Sequence, residues 1–474
     1  MPKEGGFLLR LSEDYGENTA FFDGRLRVGE NFDVIKKVLA VGQGEVTVYY
    51  IDGLFKDGAL QKLLTYLLSV EKMPETAEAF LRAHMPYVES DVVRDAETLV
   101  TSALTGMAIL LGSTFGAAAL CLDVRTSPAR STAEPENDRV MRGARDGFVE
   151  TIIFNTALIR RRIRDASLVM HAARVGRASG TDVVVCYMKG RADPRTVRYI
   201  KARVHGLDTD ALTLGHQSLA ETLIRTHWYN PFPKIRYTER PDTAAAQLLE
   251  GGVIVLIDNS PAAMILPTGI FDFLQESNDY YLPPLTGTYL RVVRHAVFWL
   301  TLFLTPLWFL ETKNPDVVPD FLAFTIPNES GRLPLFWQLL LAEFIIDGLR
   351  MASMNTPDML TNSLSAVGGL LLGDFAISVG WLIPEVVLYM AFVAIANSTQ
   401  SSFELGYALK FMRILLLVLT QLFNVWGFLA GLALTLTLIV TNKTINGGRS
   451  YLYPLVPFSG RALLALYTRR KKRF

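Results

Sequence analysis

The chain has 474 residues with 47 Lys and Arg against 46 Asp and Glu, and its mean hydropathy of +0.25 exceeds the negative values usual for soluble domains. The charges are unevenly distributed: residues 291–474 carry 15 basic and 10 acidic side chains, whereas residues 1–290 carry 32 and 36, an ordinary density for soluble protein. This division excludes a single soluble domain and also an all-membrane transporter.

The cysteine content and the N-terminus narrow the class further. Cys121 and Cys186 are too few for a disulfide framework or a cysteine-rich metal site. The opening residues, Met-Pro-Lys-Glu-Gly-Gly-Phe-Leu-Leu-Arg, contain no apolar stretch long enough for a signal peptide. We therefore expect residues 1–290 to stay in the cytoplasm, with the first apolar helix acting as a late anchor.

Residues 1–125 mix strand and helix patterns. Val46–Ile51 is predicted to be a strand, and Asp57–Val70 a helix with its leucines on one face. Met107–Cys121 is free of charge, but Gly112-Ser-Thr-Phe-Gly116 divides it into two short apolar pieces. This pattern favours a β-hairpin inside a soluble core over a membrane span. We therefore predict a cytoplasmic α+β subdomain.

Residues 126–290 alternate more regularly between helix and strand patterns. The predicted helices are Asp146–Arg164, Asp193–His205, His216–His227 and Thr243–Glu250. The predicted strands are Thr181–Met188, Val253–Ile257 and Ala263–Leu266. Such alternation indicates an α/β layer with a partly parallel sheet. The predicted fold class of the N-terminal region is α/β (α+β) with two cytoplasmic subdomains, 1–125 and 126–290.

Residues 291–474 are predicted to form a transmembrane helical domain, an all-α bundle of about four helices with a basic cytoplasmic tail. The predicted spans are about 292–310, 363–382, 384–399 and 409–441. The last is longer than one perpendicular span requires, so it is either a tilted helix kinked near Gly427 and Gly431 or a tight hairpin.

One helix of this region is predicted to lie at the membrane surface. Leu333–Arg350 contains Glu343, Asp347 and Arg350 among bulky apolar residues. Three charges in one helix favour an amphipathic, interfacial position over a span.

Basic residues near the C-terminus indicate the orientation. They are Lys443, Arg449, Arg461, Arg469, Arg470, Lys471, Lys472 and Arg473. The positive-inside rule places this tail in the cytoplasm, on the same side as the N-terminus, so the number of spans is even. The loop at 311–332, which has more acidic than basic residues, is then expected outside.

Searches for catalytic and metal-binding motifs find none. The sequence contains no phosphate-binding Gly-x-x-x-x-Gly-Lys-Ser/Thr, no Gly-x-Gly-x-x-Gly after a strand, no Gly-x-Ser-x-Gly and no His-Glu-x-x-His. Its six histidines include no pair at i,i+4 spacing. We therefore expect neither enzymatic activity nor a metal or other cofactor.

Three charged clusters stand out, and the first two each allow two interpretations. Arg160-Arg-Arg-Ile-Arg164 is a solvated helix end or a docking surface for an acidic partner or lipid head groups. Thr238-Glu-Arg-Pro-Asp242 is a structural helix start or an interface contact through Arg240. Arg470-Lys-Lys-Arg473 is an orientation signal that also attracts anionic membrane lipid.

The predicted span 363–382 carries two distinct stripes. A polar stripe, Ser363, Val367, Asp374 and Ser378, falls within about 60° on a helix and is predicted to line a pore. A small-residue ridge suited to helix packing consists of Ser365, Gly369, Gly373, Ala376 and Gly380. A charge at membrane depth favours function, although Asp374 satisfied within its own subunit near a membrane end is the alternative.

Several sequence blocks resemble the GerA family of spore germination proteins, in the same order, from about residue 40 to 460. The matching residues are Arg130, Glu134, Pro135, Arg142, Gly143, Glu150, Asn155, Arg160 and Arg162, then Glu239, Arg240, Pro241, Asp242, Asp279, Arg291 and Arg294, and finally Tyr451-Leu-Tyr-Pro454. Ala144 and Ser450 stand where the family usually has Pro.

The resemblance implies an endospore-forming source, the inner spore membrane, and ring-shaped homo-oligomers, pentamers in particular, that act as ion channels. On this basis the chain is predicted to release monovalent cations during germination and to amplify signals from germinant receptors. Its implied partners are membrane lipid, further copies of itself, germinant receptors and another small membrane protein, with no nucleic acid.

Two other functions remain open at this point. One is the A subunit of a nutrient germinant receptor, which the short N-terminus and Val48–Leu54 disfavour. The other is a non-conducting membrane scaffold for germination proteins. In each case Asp279, Arg291 and Arg294, which flank the predicted entry into the bilayer, are expected to couple the soluble part to the first span or to anchor it at head groups.

Overall fold

The computed structural model describes residues 9–85, 89–126, 140, 143–224, 227–276, 278–327, 331–355, 373–400, 402–445 and 450–468. The chain forms two compact units, one of residues 1–225 with 235–267 and one of residues 226–234 with 268–474. The predicted boundary at residue 290 therefore differs from the observed one, because residues 268–290 pack with the long apolar helices that follow them.

The first sheet has five strands in the order β1-β2-β4-β5-β3, and every pair is antiparallel. The strands are β1 Val34–Val41, β2 Gly44–Ile51, β3 Ser90–Val93, β4 Ala108–Gly112 and β5 Ala119–Leu122, and the helices are α1 Tyr15–Leu26, α2 Asp57–Leu68, α3 Ala77–His84 and α4 Ala96–Leu104. The β4–β5 pair confirms that the charge-free run 107–121 is a hairpin in a soluble core.

Helices cover both faces of this sheet, which explains why β4 is apolar at every position. Ala108 and Leu110 join a core that includes Leu60, Leu63 and Leu67 of α2. Ile109 and Leu111 join a second core with residues of α1 and α4. Alternate side chains of a strand point to opposite faces, so a strand between two cores has no polar face.

The second sheet also has five strands, in the order β6-β7-β9-β10-β8. The strands are β6 Leu168–Val175, β7 Thr181–Met188, β8 Arg236–Thr238, β9 Val253–Ile257 and β10 Ala263–Leu266, and the helices are α5 Ile152–Arg162, α6 Pro194–His205, α7 His216–Leu223 and α8 Pro241–Leu249. The described pairs are all antiparallel, so the predicted partly parallel sheet is wrong.

The two sheets share one topology. Each follows the order helix, two strands, two helices, strand, helix, two strands, and each places its third strand at the edge beside its fifth. This duplication is not apparent from the sequence patterns of the two halves. Helices alternate with strands here, a pattern that is typical of parallel sheets. In each module, however, the first two strands and the last two strands form antiparallel hairpins, so the sheet is antiparallel.

Helix α5 begins later than predicted, at Ile152 instead of Asp146. The Asn155 side chain accepts a hydrogen bond from Val149 N at 2.8 Å and donates one to Val149 O at 2.6 Å, which holds the preceding residues in a non-helical conformation. The Asp258 carboxylate accepts a hydrogen bond from Ile152 N at 3.1 Å. A side-chain acceptor at the first helical N–H stabilises a start at this residue.

A buried ion pair joins the two halves of the first unit. Arg160, in α5, donates from Nε to Asp33 Oδ2 at 2.9 Å and from one terminal nitrogen to Asp33 Oδ1 at 3.0 Å. The side chains are 0% and 2% exposed. Neither interpretation of Arg160 from the sequence, a solvated helix end or a docking surface, is therefore correct. Arg161 and Arg164 are the exposed members of that run.

The second unit is helical. Its helices are α9 Asn278–Tyr281, α10 Pro284–Lys313, α11 Leu335–Asn355, α12 Pro384–Ser398, α13 Phe403–Thr441 and α14 Gly460–Tyr467. Among the described residues, α10 and α13 are long and apolar enough to cross a membrane. The predicted span 363–382 lies outside the described residues up to position 372, and residues 373–378 are helical.

Helix α13 is a hairpin. Asn424 has φ 55° and ψ −129°, which interrupts the helix. A Cβ built on Gly431 would lie 2.9 Å from the Leu416 side chain, although 15 residues of straight helix would separate these positions by about 22 Å. Residues 425–441 therefore fold back along residues 403–423, which decides between the kinked helix and the hairpin.

Helix α11 lies alongside the first half of α13 and antiparallel to it. Glu343 contacts Arg413, Asp347 contacts Lys410, and Arg350 contacts Tyr407. Residue numbers increase along α11 while those of the contacted residues in α13 decrease, so the two helices are antiparallel. The acidic residues of this helix pair with bases inside the unit, although the Asp347 side chain is 30% exposed. The predicted position at the membrane surface stays a prediction.

The Arg160–Asp33 pair predicts a large effect of one substitution. In the full chain, Asp33→Asn leaves a buried guanidinium without its counter-charge and lowers the free energy of unfolding of the first unit by about 3–5 kcal/mol. Arg161→Gln, one position from the pair and exposed, is the matched control and stays within about 0.5 kcal/mol of the parent. Chemical denaturation, monitored by hydrogen exchange, measures the free energy of unfolding of both variants. Equal losses in Asp33→Asn and Arg161→Gln would contradict a special role for the pair.

The hairpin predicts that Gly427 tolerates no side chain. Its Cβ would lie 1.8 Å from the carbonyl oxygen of Leu419. Gly427→Ala is expected to lower stability by about 1–3 kcal/mol through overpacking. Gly348→Ala in α11, where a Cβ meets nothing within 4 Å, is the control and is neutral or stabilising. Thermal unfolding in detergent distinguishes the two, and an unchanged Gly427→Ala melting temperature would refute the hairpin packing.

Candidate functional site

Four ionisable side chains form a cluster inside the helical unit, which we call the charge cluster: Glu343 and Asp347 of α11, and Lys410 and Arg413 of α13. Arg413 Nε donates to Glu343 Oε1 at 2.6 Å, and Lys410 Nζ lies 3.4 Å from Glu343 Oε2. Lys410 also pairs with Asp347. A further Arg413 nitrogen donates to the carbonyl oxygen of Thr301 in α10 at 2.7 Å, so the cluster links three helices.

The charge cluster is nearly inaccessible to solvent. Glu343, Lys410 and Arg413 are 3%, 5% and 2% exposed, whereas the Asp347 side chain is 30% exposed. Removing one partner of a buried ion pair leaves an uncompensated charge, which is strongly destabilising. Ionisable residues inside membrane helices are expected to pair with one another and to mark function.

The sequence did contain a signal for this cluster. Glu343 and Asp347 are four residues apart and Lys410 and Arg413 are three apart, so each pair occupies one helix face. Two acids on one face and two bases on another indicate facing helices. The acids instead indicated an amphipathic helix at the membrane surface, and Lys410 and Arg413 were considered only as part of a long predicted span.

A cavity of about 310 Å³ adjoins the charge cluster. Besides the cluster residues, its lining includes Arg350, Ser353, Asn397 and Ser398. Side chains from α11, α12 and α13 therefore surround a polar space within the helical unit.

The structure describes only part of the predicted pore stripe and packing ridge. Ser363, Val367 and Gly369 lie outside the described residues. Asp374 and Ser378 are exposed on the surface of their own chain, with the Ser378 hydroxyl donating to Phe375 O at 3.0 Å. Gly373 has open space around its Cβ position. The described remainder of the stripe is thus accessible, and Asp374 lies one turn before the helical stretch ends.

Gly380 does not belong to the predicted small-residue ridge. It has φ +78°, in a turn after the helical stretch 373–378. Its carbonyl oxygen accepts a hydrogen bond from Arg332 N at 2.9 Å. Glycine is needed here for its backbone conformation, since side chains with a Cβ rarely adopt such a φ. The predicted helix therefore ends before position 382.

Asp279, Arg291 and Arg294 form a second buried group at the start of α10. Asp279 is 0% exposed, and its Oδ2 accepts hydrogen bonds from Arg294 at 2.8 Å and from Arg291 Nε at 3.3 Å. Arg291 also donates to Ala465 O in α14 at 3.0 Å. Arg291 thus holds the C-terminal helix against α10, and such burial differs from simple anchoring at lipid head groups.

The motif residues of the first unit hold its own elements together. Arg162 pairs with Asp146 at 2.6 Å, Asn155 fixes the backbone before α5, and Gly143 has φ 127°. The carbonyl oxygen of Glu150 accepts a hydrogen bond from Asn259 N at 2.7 Å. Arg130, Glu134, Pro135 and Arg142 lie outside the described residues.

The block around Arg240 is a helix start, as one of its two interpretations predicted. Pro241 is the first residue of α8 and Asp242 lies in its first turn. Arg240 is 1% exposed, pairs with Asp242 and donates to the carbonyl oxygen of Ala144 at 3.1 Å. The carbonyl oxygen of Glu239 accepts a hydrogen bond from Phe148 N at 2.8 Å. These contacts lie within the unit.

The cysteines and histidines give no sign of reactive chemistry. Burial raises the pKa of both the Cys121 and the Cys186 thiol, which favours the unreactive protonated form. His171 Nε2 lies 3.0 Å from His205 Nε2, and burial, followed by the charge of Lys201, lowers the pKa of His171. Across the described ranges, no group of three or more His, Cys, Asp or Glu is arranged to hold a metal ion.

The buried group around Asp279 predicts a loosened C-terminus in one variant. Asp279→Asn removes the carboxylate shared by Arg291 and Arg294, so we expect α14 to exchange its amide hydrogens at least tenfold faster, as a loss of about 1.4 kcal/mol or more implies. Glu276→Gln is the control, because Glu276 is 37% exposed and pairs only at the edge of the group. Unchanged exchange of α14 in Asp279→Asn would contradict the proposed docking.

Comparison with known proteins assigns the chain to a family. The pattern of the Bacillus/Clostridium GerA spore germination proteins matches residues 25–473. The chain is similar to stage V sporulation protein AF of Bacillus subtilis, with 35% identity over 100% of this chain and 96% of that protein. It is also similar to the uncharacterized membrane protein YfkQ of the same organism, with 29% identity over 89% and 82% of the two chains.

A solved structure is similar over part of the chain. It is the N-terminal domain of the A subunit of the Bacillus megaterium spore germinant receptor GerK3, with 22% identity, a TM-score of 0.41 and coverage of 55% of this chain and 97% of that one. The two long apolar helices and the membrane protein among the relatives support association with a membrane. From the match over nearly its whole length, the chain belongs to the GerA spore germination protein family.

Proposed function

We propose that this chain is the membrane subunit of an oligomeric ion channel, pentameric in our proposal, that acts in spore germination. It releases monovalent cations across the inner spore membrane and amplifies the germination signal from nutrient receptors. Both termini lie on the cytoplasmic side. The observation that carries the proposal is an exposed carboxylate, Asp374, on a helical stretch that belongs to a unit of long apolar helices.

An exposed acid in this unit has a physical consequence. A carboxylate that does not face its own subunit must reach water or a partner, because its transfer into lipid is unfavourable. Asp374 and Ser378 lie one turn apart at the end of the helical stretch 373–378, so identical copies around an axis would place acids near one mouth of a pore. Rings of acidic side chains select cations.

The two halves of α13 support the proposed placement of the termini. Asn314 and Asn424 exchange side-chain amide hydrogen bonds at 2.7 and 2.8 Å, so the tip of the hairpin lies at the far end of α10. Arg291, near the beginning of α10, contacts Ala465. The chain before α10 and the chain after α13 are thus at the same end of α10, as an even number of crossings requires.

Flux through the purified full-length protein in liposomes tests the proposal. We expect the parent protein to conduct K⁺ in preference to Cl⁻, and Asp374→Asn to lower that preference roughly tenfold, because local charge concentrates counter-ions. Asp316→Asn is the matched control, since Asp316 is an exposed acid in the loop after α10. Assembly is checked by size in detergent.

Three outcomes would overturn parts of the proposal. Intact oligomers without conductance would favour a non-conducting scaffold. Conductance with equal selectivity in Asp374→Asn and in the parent protein would remove Asp374 from the pore and direct attention to another helix. Conductance that appears only with dedicated partner subunits would favour a nutrient-receptor A subunit.

A further inference from the structure

We propose that the cavity beside the charge cluster binds a phosphate-bearing anion, with Arg350 as its principal ligand. The cavity, of about 310 Å³, is large enough for a phosphate group and is lined mainly by polar side chains of three helices. This inference does not depend on ion conduction by the chain. It concerns a second kind of site, inside one subunit and separate from the exposed stripe at Asp374.

Among the basic residues that line this cavity, Arg350 is not paired with a carboxylate of the charge cluster, so its charge can bind an anion. Its guanidinium carbon lies 4.4 Å from the ring centre of Phe403 and 5.6 Å from that of Tyr407. Within the described part of the chain, its guanidinium forms no ion pair with a carboxylate. Stacking on rings occupies the face of a guanidinium and leaves its in-plane N–H groups free, which is the geometry that binds phosphate through two hydrogen bonds.

The charges around the cavity leave a positive excess. Arg350, Lys410 and Arg413 are basic, and Glu343 and Asp347 are acidic. The two acids are already bound by Lys410 and Arg413 at ion-pair distance. The carboxylate of Asp347 therefore does not compensate Arg350, which is half-buried, and an anion in the cavity would neutralise the remaining positive charge.

The polar lining includes one atom that lacks a partner. Asn397 Oδ1 is buried and accepts no hydrogen bond from the described residues. The hydroxyl of Ser353 donates to Arg350 O at 2.8 Å and that of Ser398 to Ala394 O at 2.9 Å, so these hydroxyls are not the primary donors. A singly protonated free phosphate donates one hydrogen bond and accepts several, which suits Asn397 and Arg350 together. The phosphodiester of a lipid only accepts hydrogen bonds, so a lipid would reach Asn397 through a head-group hydroxyl.

The location of the cavity restricts the source of the phosphate. Arg350 lies near the end of α11, beside Phe403 at the beginning of α13. Arginines at the ends of membrane helices lie at the depth of lipid head groups. The shared chemistry is a phosphate oxygen, carried either by an anionic phospholipid or by a free phosphate in the adjacent solution.

Binding to the full-length protein in nanodiscs tests the proposal. One set of discs contains phosphatidylcholine alone and the other equal parts of phosphatidylcholine and phosphatidylglycerol, and each is measured with and without inorganic phosphate. The readouts are the melting temperature and the lipids retained in native mass spectrometry. We expect Arg350→Gln to weaken binding roughly tenfold, as loss of a charge-assisted hydrogen bond implies, and Arg350→Lys to be intermediate.

Arg332→Gln is the matched control, because Arg332 is exposed and precedes the other end of α11. Stabilisation by phosphatidylglycerol alone, lost in Arg350→Gln and kept in Arg332→Gln, supports a lipid head group as the ligand. Stabilisation by inorganic phosphate in pure phosphatidylcholine discs, with the same dependence on Arg350, supports free phosphate. Equal behaviour of Arg350→Gln and Arg332→Gln in folded protein overturns the site.

Discussion

A charge that is buried in an apolar helical unit requires an opposite charge beside it, and this requirement determines how the helices of the second unit pack. Glu343 and Asp347 on α11 face Lys410 and Arg413 on α13, and Arg413 reaches the backbone of α10 at Thr301. Sliding α11 by one turn would leave one acid and one base of the cluster without a partner. Apolar side chains tolerate such a slide far better, so the charge cluster sets the register that the apolar contacts then stabilise.

The first unit applies the same principle at a different place. Its two sheets have one topology, which indicates a duplicated module, and Arg160 and Asp33 pair where the modules meet. Asn31 adds a neutral contact at this junction, because its side chain accepts a hydrogen bond from Met170 N at 2.8 Å and donates one to Leu26 O at 3.0 Å. A buried, fully paired polar contact is specific in a way that apolar packing alone is not.

Local patterns predicted the local structure well. The hairpin at 107–121, the strand within 46–51 and the helix start at Pro241 each depend on residues close in sequence, and each was predicted. Strand direction and the duplication were missed, because both depend on which distant strands pair. The pairing of α11 with α13 was missed, because a helix that carries acids has the same composition whether those acids meet water or a distant base. Of the candidate site residues, Asp279, Arg291 and Arg294 were correctly grouped, whereas the charge cluster was not recognised.

The hairpin in α13 makes the sidedness of the C-terminus depend on the backbone of one residue. Asn424 reverses the chain with a positive φ, and asparagine adopts this conformation more readily than most residues. Without the reversal, 39 residues of continuous helix would extend about 58 Å, nearly twice the hydrocarbon thickness of a bilayer. The basic tail would then emerge on the opposite face of the membrane, against the charge bias that directs insertion. The backbone conformation of a single residue thus separates two topologies of the same sequence.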